Sequence, residues 1–118
     1  MNMDLKNQSV LITGSSSGIG RGISDAFLKE NTLTILTGRD KKTLKNTTLE
    51  LSNLYGKDKV LSFLGDLSIP DKVQSLYDFI GETLGHLNHL VCNIGSGRSV
   101  PPLEEDMIEF QRMLDINI

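Results

Sequence analysis

Three glycines, Gly14, Gly18 and Gly20, lie between an apolar run at residues 10–12 and a helical pattern. Such a junction exposes unpaired N–H groups and the positive end of a helix dipole, which suits a phosphate or pyrophosphate. Glycine permits a positive φ and a close approach of an anion. The G-x-x-x-G-x-G spacing lacks the lysine of a P-loop, which argues against an NTPase. A tight strand-to-helix turn without a ligand remains the alternative.

A second set of candidate residues follows the next apolar run. Gly38 and Arg39 end this run, and Lys41 and Lys42 add positive charge nearby. A guanidinium can bind a phosphate through two parallel hydrogen bonds. The alternative is that Arg39 is a solvated loop residue and that Asp40 binds a ribose, but Asp40 is better suited to cap the next helix. The sequence therefore predicts a phosphate site after the second strand.

Strand-like and helix-like patterns alternate along the chain. Short apolar runs alternating with amphipathic segments imply right-handed βαβ units. The predicted fold is therefore α/β with a doubly wound parallel sheet, in the element order βαβαβαβα and in a single domain over residues 1–118. In such a sheet a ligand binds at the carboxyl ends of the strands. We predict strands at residues 10–12, 33–37, 60–64 and 87–93, and helices at 17–30, from Asp40 to Gly56, from Ser68 onward and from Asp106 onward.

Apolar spacing also predicts which side chains face the sheet. Ser68 and Asp71 have the spacing of a capping box, with Pro70 in the first turn. The single cysteine, Cys92, is expected to be a small buried residue. The predicted inward faces carry Ile19, Ile23, Ala26 and Phe27 in the first helix, Leu44, Thr48, Leu51, Leu54 and Tyr55 in the second, Val73, Leu76, Tyr77, Ile80 and Leu84 in the third, and Phe110, Met113 and Leu114 in the fourth.

The glycine stretch with Thr13 before it resembles the T-G-x-x-x-G-x-G signature of the short-chain dehydrogenase/reductase family. Residues 66–67, Asp-Leu, resemble the family's adenine-contacting pair, and residues 92–95, Cys-Asn-Ile-Gly, resemble its Asn-Asn-Ala-Gly. The resemblance implies the N-terminal, cofactor-binding part of a Rossmann fold. The cofactor-binding residues that it implies are Gly14, Ser15, Ser16, Ser17, Gly18, Ile19, Gly20, Arg39, Asp66, Leu67, Asn93, Ile94 and Gly95, with Asn117 at the position of the active-site asparagine and no metal ligand.

The resemblance also implies an activity. Family members transfer hydride between a nicotinamide cofactor and a small carbonyl or alcohol substrate. Arginine after the second strand favours NADP over NAD, which usually meets an acid there. The family's catalytic serine and Tyr-x-x-x-Lys motif would lie beyond Ile118, so we expect a truncated, inactive cofactor-binding portion that is marginally stable and self-associates or forms a homo-oligomer.

One Tyr-x-x-x-Lys pair, Tyr55 and Lys59, is present but is predicted at the amino edge of the sheet, away from the cofactor. His86 and His89 are expected at the same edge, at the surface. Arg98 could meet an anionic substrate group or be a surface charge. The alternatives to an oxidoreductase are a non-catalytic nucleotide-binding or regulatory module and, against the glycine spacing, a nucleotide-sugar epimerase or dehydratase.

Composition excludes several classes of protein. The net charge is −3 and there is no basic block, so no nucleic-acid partner is expected. No apolar run is long enough to cross a bilayer, and the N-terminus is polar, so we expect a cytoplasmic protein without membrane contact. A single cysteine is consistent with a reducing compartment.

Overall fold

The fold was examined in a computed structural model, which describes residues 5–15 and 18–93. The described part is a parallel sheet with helices on both faces, as the predicted α/β class requires. Its elements are β1 (Ser9–Ile12), α1 (Gly18–Leu28), β2 (Leu33–Gly38), α2 (Lys41–Tyr55), β3 (Val60–Leu64), α3 (Pro70–Thr83) and β4 (His89–Val91).

The sheet has the order β3-β2-β1-β4, and all of its neighbours are parallel. Residues 9–12 of β1 are fully buried between β2 and β4, with Ile12 opposite Leu36 on one side and Val91 on the other. The chain runs outward from β1 to β3 and then returns to place β4 beside β1. The strand order therefore reverses next to β1, where ligands bind in open sheets of this kind.

Two apolar clusters cover the two faces of the sheet. Helices α1 and α2 contribute to a cluster with β2 and β3, whereas α3 packs on the other face against β1 and β2. The first cluster contains Leu28, Leu36, Leu44, Leu51 and Val60. The second contains Leu11, Ile35, Leu67, Leu76 and Ile80. Neighbouring residues of β2 thus belong to opposite faces, as the alternation of a strand requires.

The four predicted strands are confirmed with small changes at their ends. The third strand has the predicted bounds, β1 begins one residue earlier and β2 ends one residue later. β4 is shorter than predicted and covers only His89–Val91. Cys92, which follows it, is exposed, so its predicted burial is wrong. Partial desolvation nevertheless raises the pKa of its thiol.

The predicted inward face of α1 is wrong at Ile19 and Ala26, whereas the other two predicted residues, Ile23 and Phe27, are partly buried. Ile19 is 77% exposed and Ala26 is exposed, while the buried residues are Gly20, Ser24 and Leu28. Gly20 packs so closely on the glycine turn that a built Cβ would lie 2.1 Å from Gly14 O, and this contact orients Gly20 and Ser24 inward in place of Ile19. The buried hydroxyl of Ser24 is hydrogen-bonded, since it donates to the carbonyl of Gly20 at 2.9 Å.

In α2 the predicted ends are confirmed and the predicted face is confirmed in part. Asp40 caps the helix by accepting the amide proton of Thr43 at 3.0 Å, and Gly56 ends it with a φ of 109°. Leu44 and Leu51 are buried as predicted, but Leu54 is 66% exposed.

In α3 the predicted apolar stripe is confirmed, with two buried members, Leu76 and Ile80, and the others partly buried. The capping role given to Ser68 is wrong, because Ile69 occupies the cap position without a side-chain bond. The predicted proline in the first turn is present.

No helix within the described ranges is long and apolar enough to cross a membrane. The helix predicted from Asp106, with Phe110, Met113 and Leu114, lies outside the described residues, as does Arg98.

Candidate functional site

The carboxyl ends of the parallel strands bring four sequence-predicted segments to one edge of the sheet. The glycine turn follows β1, Arg39 follows β2, Asp66 follows β3 and Asn93 follows β4. Hydrogen bonds connect these segments to one another, so they form a continuous rim.

The glycine turn is packed too closely for any side chain at two of its positions. A Cβ on Gly14, which has a φ of +63°, would lie 2.2 Å from the carbonyl oxygen of Asn93. A Cβ on Gly20 would lie 2.1 Å from the carbonyl oxygen of Gly14. Gly18 also has a positive φ, and no atom of the described residues lies within 4 Å of a Cβ built on it. The turn is therefore closed toward the protein and open at the start of α1.

Thr13 and Asn93 join the glycine turn to the end of β4. The amide of Thr13 donates to Val91 O at 3.0 Å, and the amide of Asn93 donates to the Thr13 hydroxyl at 2.8 Å. The Asn93 side-chain amide also donates to Gly14 O at 3.4 Å. Asn93 thus bridges the end of β4 and the glycine turn.

Thr37, near the end of β2, is a site residue that the sequence analysis missed. Its hydroxyl accepts from Gly14 N at 3.1 Å and donates to Ile12 O at 3.2 Å. Its amide donates to Ser15 Oγ at 2.7 Å, and its carbonyl accepts from Ser15 N at 3.1 Å. The one available signal was a threonine near the end of β2, next to the glycine that precedes Arg39.

Ser15, predicted to contact the cofactor, is fully buried with its amide and hydroxyl engaged by Thr37. These groups hold the turn against β2. A ligand contact by Ser15 stays a prediction, and the observed bonds leave it little capacity for one.

Arg39 lies at the exposed rim. Within the described residues no carboxylate is within ion-pair distance of it. Gly38 before it is buried, and its carbonyl accepts from Gly65 N at 3.0 Å, which links β2 to the segment after β3. Asp40 faces its own helix as the cap, and the hydrogen bond from Thr43 N holds the pKa of its carboxyl low. The end of β2 therefore presents an exposed guanidinium at Arg39, beside an exposed carboxylate at Asp40 that is used by the helix cap.

Asp66 forms a local turn with Ser68. Its Oδ1 accepts from the Ser68 hydroxyl at 2.7 Å and from Ser68 N at 3.0 Å, and these bonds lower the pKa of the carboxyl, with a smaller contribution from the charge of Arg39. Leu67 is 8% exposed in the core beneath α3. Its side chain is thus unavailable to a ligand, and only its backbone could serve the predicted contact.

Ile19 is an exposed apolar side chain in the first turn of α1, beside the open part of the glycine turn. Five predicted site residues lie outside the described residues and stay predictions: Ser16, Ser17, Ile94, Gly95 and Asn117.

The opposite edge of the sheet holds the residues rejected as catalytic. Tyr55 donates to Asp25 on α1, while Lys59 donates to Asn7 Oδ1 at 3.1 Å, so the two side chains point to different partners. His86 is exposed as predicted. His89 is half-buried instead, within hydrogen-bond distance of the Gln8 side chain at 2.6 Å.

No group of three or more His, Cys, Asp or Glu side chains in ranges 5–15 and 18–93 is arranged to hold a metal ion. Arg39 adds an exposed guanidinium to the rim, and a guanidinium binds anions.

Comparison with known proteins adds the family context. The model of the short chain dehydrogenase family matches residues 8–118. Glucose 1-dehydrogenase 2 of Bacillus subtilis (strain 168) is 32% identical over 119 aligned residues, covering 100% of this chain and 46% of the relative.

Two solved structures are similar at 25% identity. L-sorbose reductase from Gluconobacter frateurii, complexed with NADPH and L-sorbose, has a TM-score of 0.87 and is matched over 99% of this chain and 49% of that one. A short chain dehydrogenase/reductase from Burkholderia phymatum, in complex with NAD, has a TM-score of 0.68 over 75% of this chain and 31% of that one. The chain thus spans about half or less of these proteins.

Proposed function

This chain belongs to the short chain dehydrogenase family, and we propose that it is the NADP(H)-binding portion of an oxidoreductase that interconverts a small carbonyl compound and its alcohol. The observation that carries the proposal is the exposed Arg39, which lies on the same rim as the glycine turn. The residue before it, at the position where an NAD-selective protein has an acid, is the buried Gly38. Relatives include an NADPH complex and an NAD complex, so the preference for NADP rests on Arg39.

The residues at the rim fit a dinucleotide. The first amides of α1 and the open space at Gly18 suit a pyrophosphate, because helix N-termini attract anions. Arg39 would bind the adenosine 2′-phosphate through its guanidinium, and the rim near Asp66 would receive the adenine. When bound, the nicotinamide supplies the hydride donor or acceptor. Asn93 holds the glycine turn against the end of β4, beside the proposed nicotinamide position. Ile94 and Gly95 are proposed to lie near the cofactor ribose.

We further propose that these 118 residues bind the cofactor without turning substrate over. Their one Tyr-x-x-x-Lys pair, Tyr55 and Lys59, lies at the edge opposite the glycine turn and is already engaged by Asp25 and Asn7. The same observation favours a second candidate, a non-catalytic nucleotide-binding module. We expect the chain to bind NADPH without oxidising it. Oxidation of NADPH by this chain in the presence of a carbonyl substrate would contradict both the inactive cofactor-binding portion and the non-catalytic module.

The test of the cofactor assignment is a calorimetric titration with NADPH and NADH. Removing a guanidinium that hydrogen-bonds a charged group costs roughly 1.5–3 kcal/mol, so Arg39→Ala should weaken NADPH binding by about ten- to a hundredfold. NADH binding should not change. Lys57→Ala is the matched control, because it removes one exposed positive charge from the turn before β3. Equal NADPH affinity in wild type and Arg39→Ala would refute the assignment.

A further inference from the structure

Thr37 ties the glycine turn to the strand that leads to Arg39. Its hydroxyl bonds with Gly14 N and Ile12 O, at 3.1 and 3.2 Å. Its backbone amide and carbonyl both bond with Ser15, at 2.7 and 3.1 Å. Every polar group of Thr37 is thus used on residues 12–15. With 1% exposure it lies beneath the rim, not on it.

These bonds begin where the regular pairing of the two strands ends. The last paired residues of β1 and β2 are Ile12 and Leu36. After Ile12 the backbone leaves β1 and turns away toward the start of α1. Backbone groups leaving a buried strand need new partners, because an unpaired buried N–H is costly. Thr37 and Ser15 supply those partners, and they thereby determine where the glycine turn lies relative to β2.

The same residue sets the starting point of Arg39, two positions later. Gly38, between them, accepts from Gly65 N at 3.0 Å, so the backbone before Arg39 is held from both sides. Arg39 itself is exposed and within the described residues makes no ion pair. Its reach toward a ligand bound on the glycine turn therefore depends on the link made by Thr37.

We propose that Thr37, with Ser15 as its partner, is a positioning residue that holds the glycine turn and Arg39 at the spacing one dinucleotide requires. The inference rests on the proposed function. Both side chains act without touching the ligand, since both are buried, with Ser15 Oγ bonded to the backbone of Thr37 and the Thr37 hydroxyl bonded to Gly14 N and Ile12 O. A ligand that contacts Arg39 alone is insensitive to this spacing, whereas a dinucleotide that must reach the turn is not.

The test compares the affinities of three ligands: NADPH, NADH and adenosine 2′-monophosphate, which has no pyrophosphate. Thr37→Val removes the hydroxyl while keeping the branched shape and leaves Gly14 N–H unpaired. We expect NADPH, which must reach both the glycine turn and Arg39, to bind about tenfold more weakly to it, as the loss of one buried hydrogen-bond partner implies. NADH, which does not need Arg39, should lose less affinity, and adenosine 2′-monophosphate should bind as before. Thr37→Ser, which keeps the hydroxyl, should restore dinucleotide affinity.

Thr34→Val is the matched control. Thr34 lies on the same strand, is fully buried, and its hydroxyl is 2.8 Å from that of Thr32 instead of contacting the glycine turn. It should lose stability without a change in the affinity of the folded chain for any of the three ligands.

Three outcomes would overturn the inference. Undiminished dinucleotide binding by Thr37→Val would show that the hydroxyl is not needed, and an equal loss for all three ligands would assign Thr37 a role in stability alone. If Thr37→Val does not fold, Ser15→Ala takes its place, with the same pattern expected and the same two results against it. A wild-type chain that binds neither dinucleotide would refute the proposed function itself.

Discussion

Gly20 should tolerate no side chain, although it lies in a helix where alanine is normally preferred. A Cβ there would lie 2.1 Å from Gly14 O and 2.7 Å from Asn93 Nδ2. The turn cannot retreat to make room, because Gly14 is itself packed against Asn93 O. Alanine must therefore push α1 away from the turn by about 1 Å, in an interior packed too densely to yield without cost.

The magnitude follows from three contributions. Overpacking costs about 1–3 kcal/mol, and a weakened Asn93–Gly14 hydrogen bond adds about 1 kcal/mol. The higher helix propensity of alanine offsets about 1 kcal/mol of this loss in the free energy of unfolding. We expect Gly20→Ala to lower the free energy of unfolding by about 1–3 kcal/mol in total.

Gly22→Ala is the matched control, since it lies two positions later in α1 with nothing within 4 Å of its built Cβ. It should raise the free energy of unfolding by up to about 1 kcal/mol. Urea unfolding followed by far-ultraviolet circular dichroism measures both variants against wild type. Equal stability of Gly20→Ala and Gly22→Ala would refute the close packing of the turn on α1.

Three further predictions concern the helix caps, acid stability and the opposite edge of the sheet. Asp40→Ala should lower the free energy of unfolding by about 1 kcal/mol through loss of the cap on Thr43, and Asp40→Asn should keep most of it in the same urea assay. Hydrogen bonding from Tyr55 lowers the pKa of Asp25, so its stabilising contribution is present above the unfolded-state pKa and is lost as the pH falls through the lower folded-state value. Unfolding curves of Asp25→Asn measured across this acidic range should therefore show a smaller loss of stability than those of wild type, and an identical loss would contradict the assignment. Lys59→Ala should leave NADPH affinity unchanged in a calorimetric titration, and a marked loss would place the cofactor at the wrong edge of the sheet.

The strands and the edge that carries the candidate site could be predicted from the sequence because they depend on apolar runs and on the order of elements. A buried parallel strand is apolar on both faces, so β1 is evident from composition, and the apolar run of β3 identifies that strand although it lies at the edge of the sheet. Alternation of strands and helices then fixes which ends of the strands meet, and this places Arg39 and Asp66 at the edge of the glycine turn without any knowledge of side-chain geometry.

The helix faces and the hydrogen bonds beneath the rim could not be predicted in the same way. Apolar spacing assigned Ile19 to the core, but contact with the glycine turn buries the smaller Gly20 and Ser24 instead. The bonds between Ser15 and Thr37 join the Ser15 hydroxyl and amide to the backbone of Thr37, and they depend on how the turn after β1 lies against β2, which no periodicity encodes. In similar sequences, a threonine at the end of the second strand together with a serine directly after the first glycine of the turn would indicate the same hydrogen bonds.

The most direct test of a dinucleotide site at the carboxyl edge is an NMR titration of the chain's backbone amides with NADPH. The account predicts that the largest chemical-shift changes occur at the glycine turn with the start of α1, at Arg39 and at Asp66. Changes concentrated instead at Lys59, His86 and His89, or no changes at a saturating concentration of NADPH, would contradict it.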